Sequence, residues 1–239
     1  MSGVLKVIQE RRSVRTSYDP GKPIRGQDLE SIVEAARWAP TPHNMQNFEI
    51  IVVDDKAKLR EIGGIKSPVS KTFVRENYPQ LSFSREELLR KKVGILGTYF
   101  PVAWRDPKRF DELLRDEGRS TLDDTIDGSP TVLIVVYDSR KRAPASEGDF
   151  LGILGLGCVM ENMWLEAQSL KIGFQVMSVF GGEKVARDVK RALGVPACLK
   201  IAYAIRLGYP VRTSNRYLRM RRDAEWIVHH NSYGNKGLV

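Results

Sequence analysis

Apolar positions divide the chain into helical runs, with stripes three and four residues apart, and short β-branched runs. LKVIQERR reads as a short helix with Val4, Leu5 and Ile8 on one face. QDLESIVEAARWAP is a stronger one: Asp28 is the expected N-cap, Leu29, Ile32, Val33 and Ala36 form the stripe, and Pro40 stops it. NFEIIVVDD reads as a strand. SPTVLIVVYD (129–138) is the clearest strand, apolar almost throughout, as a strand covered on both faces is. DFLGILGLGCVMENMWLEAQSLKIG (149–173) predicts one long, largely buried helix closed by Gly173. Its Gly152, Gly155 and Gly157 cost helix propensity and signal close approach of another backbone or a ligand. FQVMSV (174–179) and KIAYAIRLGYP are further strands, GGEKVARDVKRALGVP is a loop, helix and stop, and RRDAEWIVHHNSYG is a final helix.

Residues 56–127 carry short helical patterns such as SREELLRKKVGIL, an aromatic patch TYFPVAW (98–104) and a charged run, and read as a helical excursion from the main sheet. Helices alternate with strands at uneven spacing, which favours a mixed α+β sheet over a regular parallel Rossmann fold. The expectation is one domain over 1–239, with a helical insertion or lid at about 56–127.

Composition changes this picture little. A 42% hydrophobic and 28% charged chain has the balance of a globular protein and not of a disordered one. Cys158 and Cys198 stand far apart with no ligand spacing around them, which disfavours a disulfide framework or a zinc site. MSGVLKVIQERR lacks a signal-peptide core, and no uninterrupted run of about 18 apolar residues appears, so a cytoplasmic protein without a membrane span is expected.

Charge is more informative. The net charge of +9 suits nucleic acid, a membrane surface or a phosphorylated small molecule. It concentrates in RRSVR (11–15) and in six arginines between Arg206 and Arg222 with no acid among them.

The familiar catalytic signatures are missing. There is no GxxxxGK[ST], HExxH or GxSxG, and GLGCVM lacks the strand–turn–helix setting of a dinucleotide fingerprint. His229 and His230 are adjacent and face different ways on a helix, which is no arrangement for a shared metal; His43 sits in a polar loop. Such a chain would supply binding and orientation while a cofactor performs the reaction.

RRSVR, followed by a helix ending in AARWAPTPHNMQNFEIIVVDD, resembles the flavin-dependent nitroreductase family, whose pattern is a basic RRSxR, an AP[ST]xxNxQ loop and a strand. The ENM and LxAxxLxxG signals of the 149–173 helix, the LGVP and LGYP turns, and an Arg-rich segment before a closing helix ending in YG match as well. The resemblance implies a mixed, mainly antiparallel sheet surrounded by helices. It also implies an obligate homodimer with FMN at the subunit interface, and ping-pong transfer of electrons from NAD(P)H through flavin N5 to a small acceptor such as a nitroaromatic or quinone. No catalytic side chain and no metal are implied.

The resemblance assigns the FMN phosphate to Arg11, Ser13 and Arg15, alternate positions of an extended segment, with Arg12 helping through backbone or side chain. Arg219 and Arg221 are the matching C-terminal candidates. Pro40, Thr41 and Asn44 fall at positions that contact the flavin, often from the partner subunit, while Asn47 replaces a usual proline. The backbone of Phe180 and Gly181 would lie against N5, with the amides of Gly181 and Gly182 open at a helix start. The long helix would pack on its twin through its glycines, and Glu161 and Asn162 would be hydrogen-bonded structural residues. Tyr99, Phe100 and Trp104 would form an aromatic lid for a planar substrate, or else the excursion's own core.

Other readings stay open: dehalogenation, ene reduction or flavin consumption on the same scaffold, an FMN binder without reductive turnover, and a basic nucleic-acid-binding module using the 206–222 arginines.

Overall fold

The computed structural model describes residues 3–67, 76, 81–99, 106, 120–144, 148–212 and 218–237. Helices α1 (Gly3–Glu10) and α2 (Gly26–Arg37) precede strand β1 (Phe48–Val53) and helix α3 (Lys56–Gly63). Strand β2 (Ser82–Phe83), helix α4 (Arg85–Lys91) and strand β3 (Ile95–Leu96) follow, then helix α5 (Asp123–Ile126) and strand β4 (Thr131–Asp138). Helix α6 (Phe150–Ser169), strand β5 (Gly173–Met177), helix α7 (Glu183–Leu193) and strand β6 (Leu199–Gly208) complete the succession. The chain divides into two compact units, 1–67 with 121–214, and 68–120 with 215–239.

The first unit is an antiparallel sheet in the order β1-β4-β6-β5. β4 lies inside it and is buried on both faces, which is why its apolar run shows no alternation. Leu133 and Val135 point to one side, into a core with Ile32 and Ala36 of α2 and Val159 and Met163 of α6. Val132, Ile134 and Val136 point to the other, against Ile62 of α3, Ile126 of α5 and Val185 and Val189 of α7. Helices thus cover both faces of the sheet, the mixed α+β arrangement expected.

Four boundaries differ from the sequence reading. Asp28 lies inside the first turn of α2, with Arg25 as N-cap, and accepts from Arg25 Nε at 2.7 Å and Nη2 at 2.8 Å. α6 ends at Ser169, and Gly173 opens β5 instead of closing the helix. β5 stops at Met177, and Ser178–Gly181 turns as a 3-10 helix. The expected C-terminal helix is only a 3-10 turn at Ala224–Trp226. Beyond it Asn231, Gly234 and Gly237 have left-handed backbone, and His229 bridges Lys236, so the NSYG stretch folds back on itself.

α6 is long and apolar enough to cross a membrane by length and composition alone, although Glu161 and Glu166 interrupt its apolar run. In this fold seven of its 20 residues, from Gly152 to Ala167, are buried, so it packs on the core by one face and is not the largely buried helix expected.

In the second unit Ser84 and Glu87 form a reciprocal capping box at the start of α4, and β2 pairs with β3 in parallel. The excursion is therefore not wholly helical, and α3 and α5, inside its expected bounds, belong to the first unit.

Candidate functional site

At the end of α1 the chain leaves the helix and runs extended along the edge of the sheet. Ser13 pairs in parallel with Phe174, and Val14 N donates to Phe174 O at 3.0 Å. RRSVR is thus a strap on β5, as the alternation of Arg11, Ser13 and Arg15 requires. Arg11 Cζ lies 4.3 Å over the Trp164 ring, which itself stacks on Phe174 at 4.9 Å, and Arg11 Nε is 3.1 Å from Glu161 Oε1. Trp164 Nε1 donates to the Arg12 carbonyl at 3.1 Å. Arg12 and Ser13 are half-buried and Arg15 is exposed. Glu161 therefore orients an arginine, while Asn162 Nδ2 donates to Ala35 O at 3.1 Å and ties α6 to α2.

The far end of the strap is fixed by two residues the sequence reading did not single out. Tyr18 is 1% exposed and fits where the facing residues of β5 and β6 are Gly173 and Gly208. A Cβ on Gly173 would lie 2.6 Å from Tyr18 Cε1, and one on Gly208 would lie 2.8 Å from Tyr18 Cγ. Arg206 stacks on the same ring at 4.6 Å. The charge pattern groups it with the basic run of 206–222, but it is 2% exposed in mid-strand. Burial pushes its pKa down, opposed by Tyr18 and Asp127. Isolated in an apolar strand, it carried the signal of a buried arginine, which proximity to the basic run concealed.

The loop after α2 has an unusual backbone. His43, Asn44 and Gln46 all have left-handed φ without being glycine, at 50°, 51° and 44°. Thr41 holds the turn: its carbonyl accepts from Asn44 N at 2.9 Å and its Oγ1 from Gln46 N at 3.2 Å. Pro40 and Asn44 are exposed and Thr41 is half-buried. Gly155 accommodates this loop, since a Cβ there would be 3.2 Å from Pro42 Cδ; Gly152 does the same for the buried Asn47 side chain. These two glycines thus serve packing within the chain, whereas Gly157 is exposed with open space before it. Along α6 the loop contacts residue 155 and the strap residues 161 and 164, a rise of about 9 to 14 Å.

After β5, Gly181 and Gly182 are exposed at the start of α7, while the Phe180 side chain is wholly buried among Met177, Val185 and Ala204. Phe180 can offer a ligand its backbone alone. Arg219 and Arg221 belong to the second unit, where both are exposed and Arg221 Nη1 donates to Met220 O at 2.8 Å. Tyr99 closes the Gly97–Tyr99 turn; Phe100 and Trp104 lie outside the described residues. Among the described residues no cluster of three or more His, Cys, Asp or Glu could hold a metal.

The family model for the nitroreductase family matches residues 8–209, from just before the strap to just after β6. The chain belongs to the nitroreductase family. It is 20% identical over 234 residues to a Bacillus subtilis FMN reductase (NADPH), covering 98% of this chain and 75% of that protein. It is 22% identical over 235 residues to an NADPH-dependent oxidoreductase of Staphylococcus haemolyticus, covering 97% and 74%. Among solved structures, a Bacteroides fragilis nitroreductase with bound FMN matches the whole of both chains with a TM-score of 0.58 at 23% identity. An FMN-bound nitroreductase of Desulfitobacterium hafniense matches 89% of this chain and 92% of its own, with a TM-score of 0.54 at 21% identity.

Proposed function

We propose that this nitroreductase-family protein binds FMN and passes electrons from NAD(P)H to a small oxidised acceptor, such as a nitroaromatic or quinone. The observation that carries this reading is the extended strap along β5. A phosphate dianion calls for guanidinium and hydroxyl donors, and Arg11, Ser13 and Arg15 alternate along that strap. The polar, strained loop at Thr41 and Asn44 offers the mixed donors and acceptors that an isoalloxazine edge needs. The exposed amides of Gly181 and Gly182 suit the negative charge of a reduced ring. Bound FMN would supply the redox chemistry, taking hydride at N5 and releasing electrons to the acceptor in alternate half-reactions. The chain's own part is to anchor the phosphate, orient the ring and shape the acceptor pocket.

A homodimer, in the cytoplasm, is part of the same reading. Phe150, Ile153 and Leu154 on α6, and Val4, Leu5 and Ile8 on α1, are exposed apolar side chains that a second copy would cover.

The test is the visible spectrum of the purified, dialysed protein before and after anaerobic NADH, then NADPH. A flavin band that bleaches with either donor supports the reductase reading and names the donor. A band that persists with both removes NAD(P)H as the donor, and a colourless protein that FMN does not reconstitute removes the proposal.

A further inference from the structure

We infer that Arg206 is a positioning residue for the FMN phosphate: with Tyr18 it forms a latch that sets the register of the RRSVR strap on the sheet. The inference rests on the phosphate reading of Arg11, Ser13 and Arg15.

The strap meets the body of the protein at its two ends. At the first end Trp164 Nε1 bonds the Arg12 carbonyl and Phe174 pairs with Ser13 and Val14. At the second, Tyr18 N donates to Asp127 O at 3.1 Å and Val211 N to Ser17 O at 3.1 Å. The stretch between, Arg15 and Thr16, is gripped by Arg206, whose Nη2 donates to Thr16 O at 3.1 Å. The same guanidinium donates through Nε to Gln175 Oε1 at 2.9 Å and through Nη1 to Ile126 O at 3.2 Å, with Asp127 Oδ2 3.6 Å away. One planar fork therefore joins the strap, β5 and the end of α5. Only arginine reaches three directions at once; lysine is a point charge and a glutamine side chain is shorter with fewer donors.

Tyr18 supplies the other half. Its ring lies between the glycine pair and the guanidinium, and its hydroxyl donates to Val14 O at 3.1 Å. Val14 stands between Ser13 and Arg15, so the hydroxyl fixes the backbone from which both phosphate candidates project. In an extended segment a slip of one residue turns every side chain to the opposite face. Loss of the latch would thus scatter Ser13 and Arg15 without removing either.

The test uses purified apoprotein and two probes, FMN and riboflavin, which share the isoalloxazine ring and differ by the phosphate. Arg206→Gln should raise the Kd for FMN about tenfold and leave that for riboflavin within about twofold, the size of one lost charge-assisted bond. Arg206→Lys should not rescue it. Tyr18→Phe keeps the ring and removes only the hydroxyl, so it should fold even where Arg206→Gln does not. It should weaken FMN by about threefold and spare riboflavin. A merely structural role would lower thermal stability and move both flavins together, or neither. Ser13→Ala with Arg15→Ala separates the two levels. If that pair collapses the preference for FMN over riboflavin while Tyr18→Phe and any folded Arg206→Gln leave it intact, the latch is overturned and the phosphate reading stands. If the pair also leaves the preference intact, both fall.

Discussion

Arginine serves this chain in two ways that differ in burial. In RRSVR the residues lie half-buried or exposed on a strap, with Arg11 stacked on Trp164 and facing Glu161. Replacing Arg11 and Arg15 with alanine should weaken FMN binding by roughly a hundredfold or more, while circular dichroism and the apoprotein melting temperature stay near those of the parent. Full FMN retention in that double variant removes the phosphate account. The strap was expected from the resemblance of RRSVR to the family segment, since R-R-S-V-R itself shows no polar–apolar alternation that would mark an extended chain. The buried role of Arg206 was not, because its partners Thr16, Ile126 and Gln175 come from three distant stretches. A carboxylate gives a prediction in pH. Asp138 accepts from Arg140 Nε and Nη2, both at 2.8 Å, and these bonds hold its pKa at about 2 against an ordinary 3.8. A depressed carboxyl stabilises the fold above its ordinary value and ceases to do so as pH falls through the folded one. The melting-temperature advantage of the parent over Asp138→Asn should thus be full near neutral pH and shrink between about pH 4 and about pH 2. A constant difference across that window would contradict the pairing.

At the level of elements, α6 is the spine of the candidate site. It meets the loop through Gly152 and Gly155, the strap through Glu161 and Trp164, and α2 through Asn162 and Glu166. Gly155→Val should cost about 1–3 kcal/mol in denaturant unfolding, since added atoms must displace Pro42 or Thr41. Within one chain Gly157→Ala meets nothing, which by itself would gain about 0.5–1 kcal/mol. A loss there instead would place Gly157 in a contact between copies. The helix itself was plain from its apolar content, but the purpose of its glycines was not, because the chain that fills them is a loop more than 100 residues earlier. The supposed C-terminal helix failed for a local reason: its pattern gave no warning that Asn231 would take a left-handed backbone.

For the molecule as a whole, sedimentation should give twice the chain mass. Ile153→Glu with Leu154→Glu should yield a monomer that no longer retains FMN; a monomeric parent with bound flavin would overturn the shared site. The antiparallel sheet of the first unit was readable strand by strand, whereas the second unit, which joins 68–120 to 215–239, was invisible in sequence because its closure is between distant segments. Lys92 of that unit pairs with Asp223, 131 positions later. During synthesis, the earlier segment emerges and then waits while residues 121–214 are made, about 5–20 s at ribosomal rates. For that interval the bonds that join it to 215–239, such as Lys92 with Asp223, cannot form. A chain halted at Ser214 would lack them for good.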